Sequence, residues 1–175
     1  IEQQIRVDGR YQLRENTVAV VGTRFGYNDY TSDDLLYPGV PSKFDGDYQD
    51  SYNFWFYGGA DSRFTPKLTG SFRIGVQYTD YDNANEDATS PFIDNSITYN
   101  YMPDCNVRFG VRHFRNATDI SFDPTDLTKS PTLDQSSYSV YGDVTHKITP
   151  RITGNVIMQF QSSEFNDGTY DGDTD

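Results

Sequence analysis

Six arginines recur inside stretches of alternating polarity: Arg6, Arg10, Arg24, Arg73, Arg108 and Arg112. On an extended chain successive side chains point to opposite sides, so residues two or four apart share a face. In each stretch the arginine occupies the polar phase, with apolar residues on either side of it. A guanidinium keeps its charge in a protein and holds five N–H donors in one plane. A row of them along a wet wall would favour anions, as rings of charge do in channels. They could equally pair with Asp8, Asp61 and Asp143 and simply keep that wall hydrated. The sequence leaves both readings open.

Other reactive types are scarce. His113 and His146 are the only histidines, and both fall in the apolar phase near opposite ends of their stretches. Catalysis needs a nucleophile and a base within reach of one another, so interfacial side chains are the expectation and no enzyme activity is expected. Cys105 stands alone, which excludes a disulfide or a cysteine-based zinc site within the chain. No cofactor is expected.

The formal net charge is −12, and it is unevenly spread. Acids crowd the segments between the alternating stretches: Asp29 to Asp50, Asp80 to Asp94, Asp119 to Asp134 and Glu164 to Asp175. Lys43 and Lys129 are the only bases there. Phosphate would be repelled, so nucleic acid is not an expected partner. These segments read foremost as solvated surface that resists aggregation. Divalent cations are a second candidate, because Asp171-Gly172-Asp173-Thr174-Asp175 alternates hard oxygen donors but lacks the pattern of an EF-hand loop.

The elements that must carry the arginines follow from a motif used twice. Phe64-Thr65-Pro66-Lys67-Leu68-Thr69-Gly70 returns as Ile148-Thr149-Pro150-Arg151-Ile152-Thr153-Gly154. Phe72, Ile74, Val76 and Tyr78 alternate with polar residues behind the first copy. Val156, Met158 and Phe160 do so behind the second, with Ile157 the misfit. Each copy reads as a tight turn feeding a strand with one apolar and one polar side.

Eight such segments can be laid out. Ile5, Val7, Tyr11 and Leu13 mark the first, and Ala19, Val21, Phe25 and Tyr27 the second. In the third, Tyr52, Phe54 and Phe56 oppose Trp55 and Tyr57. The fourth follows Pro66; Ile93, Ile97, Tyr99 and Tyr101 mark the fifth. Val107, Phe109 and Val111 mark the sixth, Tyr138, Val140 and Val144 the seventh, and the eighth follows Pro150. Asp80 to Pro91 reads as a loop. Connections alternate between short, near Glu15, Pro66, Pro103 and Pro150, and long, after Asn28, Thr79, Arg115 and Ser163.

Segments of about 9–13 residues are long for soluble strands but match the roughly 9–11 needed to cross a bilayer at a tilt. The longest wholly aliphatic run, Val18 to Val21, is too short for a spanning helix or a signal-peptide core. Short turns at one end, long loops at the other and apolar/polar alternation predict an all-β, antiparallel up-and-down transmembrane barrel. Its apolar face would meet lipid and its arginines would line the interior. Tyr27, Tyr52, Tyr78 and Tyr138 would form one interfacial band, and Tyr11, Tyr99 and Tyr101 the other.

The arrangement resembles bacterial outer-membrane β-barrels, and the run from Phe64 to Tyr78 resembles the family of putative β-barrel porins. The resemblance implies a cell-envelope location and a pore or scaffold role, and it carries no catalytic residues. Residues 1–175 are expected to be part of a single barrel domain. Both ends fall on the long-loop side, so the expectation is an excerpt of a larger barrel. The first functional expectation is passive movement of small polar solutes across a bacterial outer membrane. The second is a non-conducting barrel that adheres through acidic loops, and the third a soluble ligand-binding barrel with its apolar faces inward. Expected partners are outer-membrane lipid and small polar solutes, with a second copy of the chain a further candidate.

Overall fold

A computed structural model describes residues 2–28, 50–81, 86–117 and 134–166. Eight strands make one antiparallel sheet in simple chain order, with β1 and β8 at its edges. They are β1 (Glu2–Arg14), β2 (Thr17–Asn28), β3 (Ser51–Thr65), β4 (Leu68–Tyr81), β5 (Glu86–Met102), β6 (Cys105–Ala117), β7 (Asp134–Thr149) and β8 (Ile152–Asn166). Among the described residues no helix is long and apolar enough to cross a membrane, a statement that does not bear on spanning strands.

The short connections are all two-residue turns, and in each hairpin the register slips by one residue just before or at the turn. The repeated motif explains two of them. Thr65 Oγ1 accepts hydrogen bonds from the N–H groups of Lys67 (3.2 Å) and Leu68 (3.0 Å), and Thr149 Oγ1 accepts from Arg151 N–H (3.3 Å). Proline follows each threonine and supplies a fixed φ at the turn. Asp104 is the described non-glycine residue with positive φ, at 60°. The β1–β2 and β3–β4 turns are also tied to the next strand: Arg63 N–H donates to Asn16 O at 2.8 Å, and Asn100 N–H to Lys67 O at 2.7 Å.

The strands run to 17 residues in β5, longer than the alternating segments suggest. Most of the Asp80–Pro91 stretch, expected as loop, is strand: β4 continues to Tyr81 and β5 begins at Glu86, with Asp80 opposite Asp87. Consequently Asp80, Asp87, Asp94, Asp134 and Glu164 belong to strands and not to acidic loops. Composition misled here because Asp, Asn and Ser are poor strand formers in general, yet a hairpin already registered by its apolar residues carries them along.

Pairing between β5 and β6 begins only at Ile93 and His113. Pro91 has no N–H to offer a ladder. Its carbonyl instead accepts from His113 Nδ1 at 2.6 Å. Above this point β6 pairs on one side only, with β7.

The two faces divide as the alternation requires. Ile5, Val7, Val21, Ile74, Val76, Phe109, Val140, Val156 and Phe160 lie on one face, and all are exposed, Ile74 at 65% and Phe109 at 56%. The arginines lie on the other. That second face is concave, since one cavity is lined from Gln4 on β1 through to Asn116 on β6. The buried apolar residues Trp55, Tyr57 and Phe92 cluster there, on the polar side of the sheet. Phe72, Ile74, Val76 and Phe109 therefore do not form a dry centre, which removes the soluble barrel with inward apolar faces.

Candidate functional site

The register sets all six arginines on the concave face. Arg6 is opposite Arg24, Arg73 opposite Asp94, Asp94 opposite Arg112, and Arg108 opposite Asp143. Five have carboxylate partners. Arg6 Nη2 lies 3.0 Å from Asp8 Oδ2, Arg108 Nε 2.6 Å from Asp143 Oδ2, and Arg112 Nε 3.3 Å from Asp94 Oδ1. Asp61 serves two: Arg73 Nη2 donates to both its oxygens, at 2.8 and 2.9 Å, and Arg10 Nη1 lies 3.5 Å away. Among the described residues Arg24 has no carboxylate partner. Pairing on Asp8, Asp61 and Asp143 thus accounts for four arginines; Asp94 is a fourth carboxylate that the sequence placed in a loop.

Aromatic rings organise the same face. Arg6 lies 5.4 Å from the Tyr57 ring centroid, Arg24 5.2 Å from Trp55 and 5.9 Å from Phe92, and Arg112 4.8 Å from Tyr141. A cation over the π face of a ring is attracted by the ring quadrupole. The rings can lie flat because glycines sit beneath them. A Cβ on Gly22 would meet Asp8 Oδ1 at 2.4 Å and the Tyr57 ring at 2.6 Å. One on Gly110 would meet Tyr141 at 2.2 Å, and one on Gly26 would meet Trp55 at 3.1 Å. Tyr57 Oη passes over β2 and donates to Asp8 Oδ1 at 2.5 Å. Covering a strand glycine with a cross-strand aromatic is a recognised means of fixing register and curvature.

The sequence reading missed the part played by Trp55, Tyr57, Phe92 and Tyr141. A usable signal was present: Gly22, Gly26 and Gly110 share the phase of the arginines, where a side chain would be expected. The sequence sets Trp55 and Tyr57 opposite Tyr52, Phe54 and Phe56, and the register places them so.

Towards the long-loop end the interior turns densely polar. Ser51, Asn53, Gln77, Thr79, Ser137, Ser139 and Ser163 are buried. Thr79 Oγ1 donates to Asn53 Oδ1 at 2.7 Å, and the Ser137 and Ser163 hydroxyls are 2.9 Å apart. Asp134 accepts from Tyr81 Oη and Arg115 Nε, joining β4, β6 and β7. At the other end a more open cavity of about 430 Å³ lies among Ser62, Thr69, Ser71, Ser96 and Thr98.

The remaining candidates take structural places. His113, expected at an interface, is buried beneath Tyr138, with ring centroids 4.2 Å apart. His146 stacks on Tyr101 and its Nδ1 lies 2.8 Å from the Tyr101 hydroxyl. Cys105 is buried, and its Sγ accepts the Lys147 N–H at 3.2 Å. Among the described residues no cluster of three or more His, Cys, Asp or Glu could hold a metal ion. The Asp171–Asp175 stretch lies outside the described residues, as do 29–49, 82–85 and 118–133.

Of the tyrosines expected in two bands, Tyr27 and Tyr52 stack at 4.8 Å on the convex face near the long connections. Tyr78 and Tyr138 are exposed beside that end, and Tyr11 and Tyr99 beside the other.

Residues 40–175 match the family described as putative beta-barrel porin 2. No curated protein and no solved structure matches the chain.

Proposed function

Because this chain belongs to the putative beta-barrel porin 2 family, we propose that it is part of one outer-membrane barrel domain, residues 1–175, serving passive passage of small polar solutes through a bacterial outer membrane. The observation that carries this reading is the separation of faces. Exposed Ile, Val and Phe cover the convex side, and six arginines with four aspartates line the concave side. Convex apolar surface matches acyl chains, whereas a concave face of charges needs water. The same arginines favour anions over cations along that path. No step of catalysis is assigned to any residue.

The test is conductance of the full chain in a planar bilayer, with the reversal potential read in a salt gradient. Discrete channels that prefer chloride are expected, and Arg24→Gln with Arg112→Gln should move the reversal potential towards the cation side. A folded protein that inserts yet passes no current would remove the transport function. The buried Trp55–Tyr57–Phe92 cluster on the concave face favours a second reading, a plugged barrel acting as anchor or adhesin. Such a barrel would be silent in this assay and would retain surface attachment that is lost on loop deletion.

A further inference from the structure

Of the six arginines on the concave face, Arg24 is the one that the described residues leave without a carboxylate partner, and it borders a cavity of about 330 Å³. Its guanidinium carbon lies over two rings, 5.2 Å from the Trp55 centroid and 5.9 Å from that of Phe92. A guanidinium attracted to ring faces still carries five N–H donors in its own plane, which a ligand in the cavity can meet. Phe114 and Arg112 complete one wall. Arg112 lies over the Tyr141 ring and makes a 3.3 Å contact with Asp94, itself at the cavity and 40% exposed.

We propose that this cavity is a binding subsite for a small organic monocarboxylate with a flat apolar body, such as an aryl carboxylate. The carboxylate takes the donor edge of Arg24, within reach of Arg112, and the ring lies against Trp55, Phe92 and Phe114. Three observations select this class. The planar fork of Arg24 matches a carboxylate, which it can hold through two parallel hydrogen bonds. Rings on the walls favour an apolar body and would leave a fully hydrated inorganic ion with its shell unmatched. Two arginines against Asp94 leave one positive charge in excess, which complements a monoanion and places a carboxylate oxygen against any dianion. The proposal deepens the porin reading by naming a solute class, and rests on it only in that the concave face must be open to solute.

Trp55 is the sole tryptophan of the chain, so its fluorescence reports on this cavity and on nothing else. The refolded full chain in detergent micelles is titrated with benzoate, neutral benzamide and inorganic phosphate. A saturable change with benzoate is expected, with benzamide and phosphate at least tenfold weaker. Arg24→Gln should weaken benzoate at least tenfold and Arg24→Lys less, because the charge remains while the fork is lost. Lys67→Gln, at the β3–β4 turn, should leave benzoate affinity unchanged. Circular dichroism confirms that each variant retains its strands; should Arg24→Gln fail to fold, Arg24→Lys together with Phe114→Ala carries the same comparison. Phosphate binding as tightly as benzoate, an Arg24→Gln variant with undiminished affinity, or no saturable change would each overturn the subsite. Channel conductance is read separately: current without benzoate binding sinks the subsite and leaves the porin, while binding without current does the reverse.

Discussion

Gln77 on β4 and Arg115 on β6 are joined as ladder neighbours would be, although β5 runs between their strands. Arg115 N–H donates to Gln77 Oε1 at 3.1 Å, and Gln77 Nε2 donates to Arg115 O at 2.8 Å. A carboxamide carries one acceptor and a donor pair, so it can stand in for the peptide group that β5 ceases to present above Ile93. Gln77 is 1% exposed, so water does not replace it easily. An unpaired buried backbone group costs about 1–3 kcal/mol. Gln77→Leu orphans two such groups and is expected to lower unfolding free energy by at least about 2 kcal/mol, read by urea titration in lipid vesicles. Gln77→Glu should be no better, because a carboxylate would face the Arg115 carbonyl and Asn53 Oδ1. A Leu variant as stable as the parent would mean the β5–β6 seam is sealed by something else.

Gly22 lies under the Tyr57–Asp8 hydrogen bond, which predicts a specific non-additivity. Gly22→Val puts side-chain atoms where the Tyr57 ring and Asp8 Oδ1 now sit. Overpacking of this kind typically costs about 1–3 kcal/mol. If Tyr57 is first cut back to Ala, the space is free, and adding Gly22→Val should cost much less. Double-mutant unfolding measures the difference. Strict additivity would show that the ring does not hold this position.

Period-two alternation made the eight strands, their order and the identity of the arginine face legible, because a strand with one apolar and one polar face must write that period into its sequence. The acidic stretch from Asp80 to Pro91 was misjudged, since its residues disfavour strands one by one while the hairpin at Pro66 extends through them. The cross-strand features were hidden for another reason. That Gln77 reaches Arg115, or that among the described residues Arg24 lacks a carboxylate while Arg73 shares Asp61 with Arg10, depends on register between strands and on where β5 leaves β6. No local pattern encodes that separation apart from Pro91. The glycines Gly22, Gly26 and Gly110 were the visible trace of the aromatic layer, and they carry meaning only once their pairing with Tyr57, Trp55 and Tyr141 is known.

The duplicated turn gives a graded expectation. Thr65 Oγ1 holds two backbone N–H groups and Thr149 Oγ1 one. Valine keeps the shape and removes the acceptor. With a typical net value of about 0.5–1.5 kcal/mol per hydrogen bond, Thr65→Val should cost roughly twice what Thr149→Val costs. Equal losses would assign the threonines to strand packing instead.

Asp104 joins a backbone strain to a pH response. At φ 60° it occupies a region that glycine adopts freely and alanine resists by about 1 kcal/mol. Asp104→Ala should therefore destabilise the protein more than Asp104→Gly does. The charge acts separately. Lys147 Nζ lies 2.6 Å from Asp104 Oδ2, and this hydrogen bond, with the ammonium charge behind it, holds the Asp104 carboxyl below the usual aspartate range. A carboxyl whose folded value is depressed adds stability above its unfolded value and loses it as pH falls through the folded one. The stability advantage of the parent over Asp104→Asn should therefore be flat near neutrality and shrink only below the ordinary aspartate range. Both groups are exposed, so the advantage should also be small and diminish with added salt. Unfolding of the pair of proteins from pH 7 downwards, at low and high ionic strength, checks both signs. An advantage that grew on acidification would contradict the ion pair between the β5–β6 turn and β7.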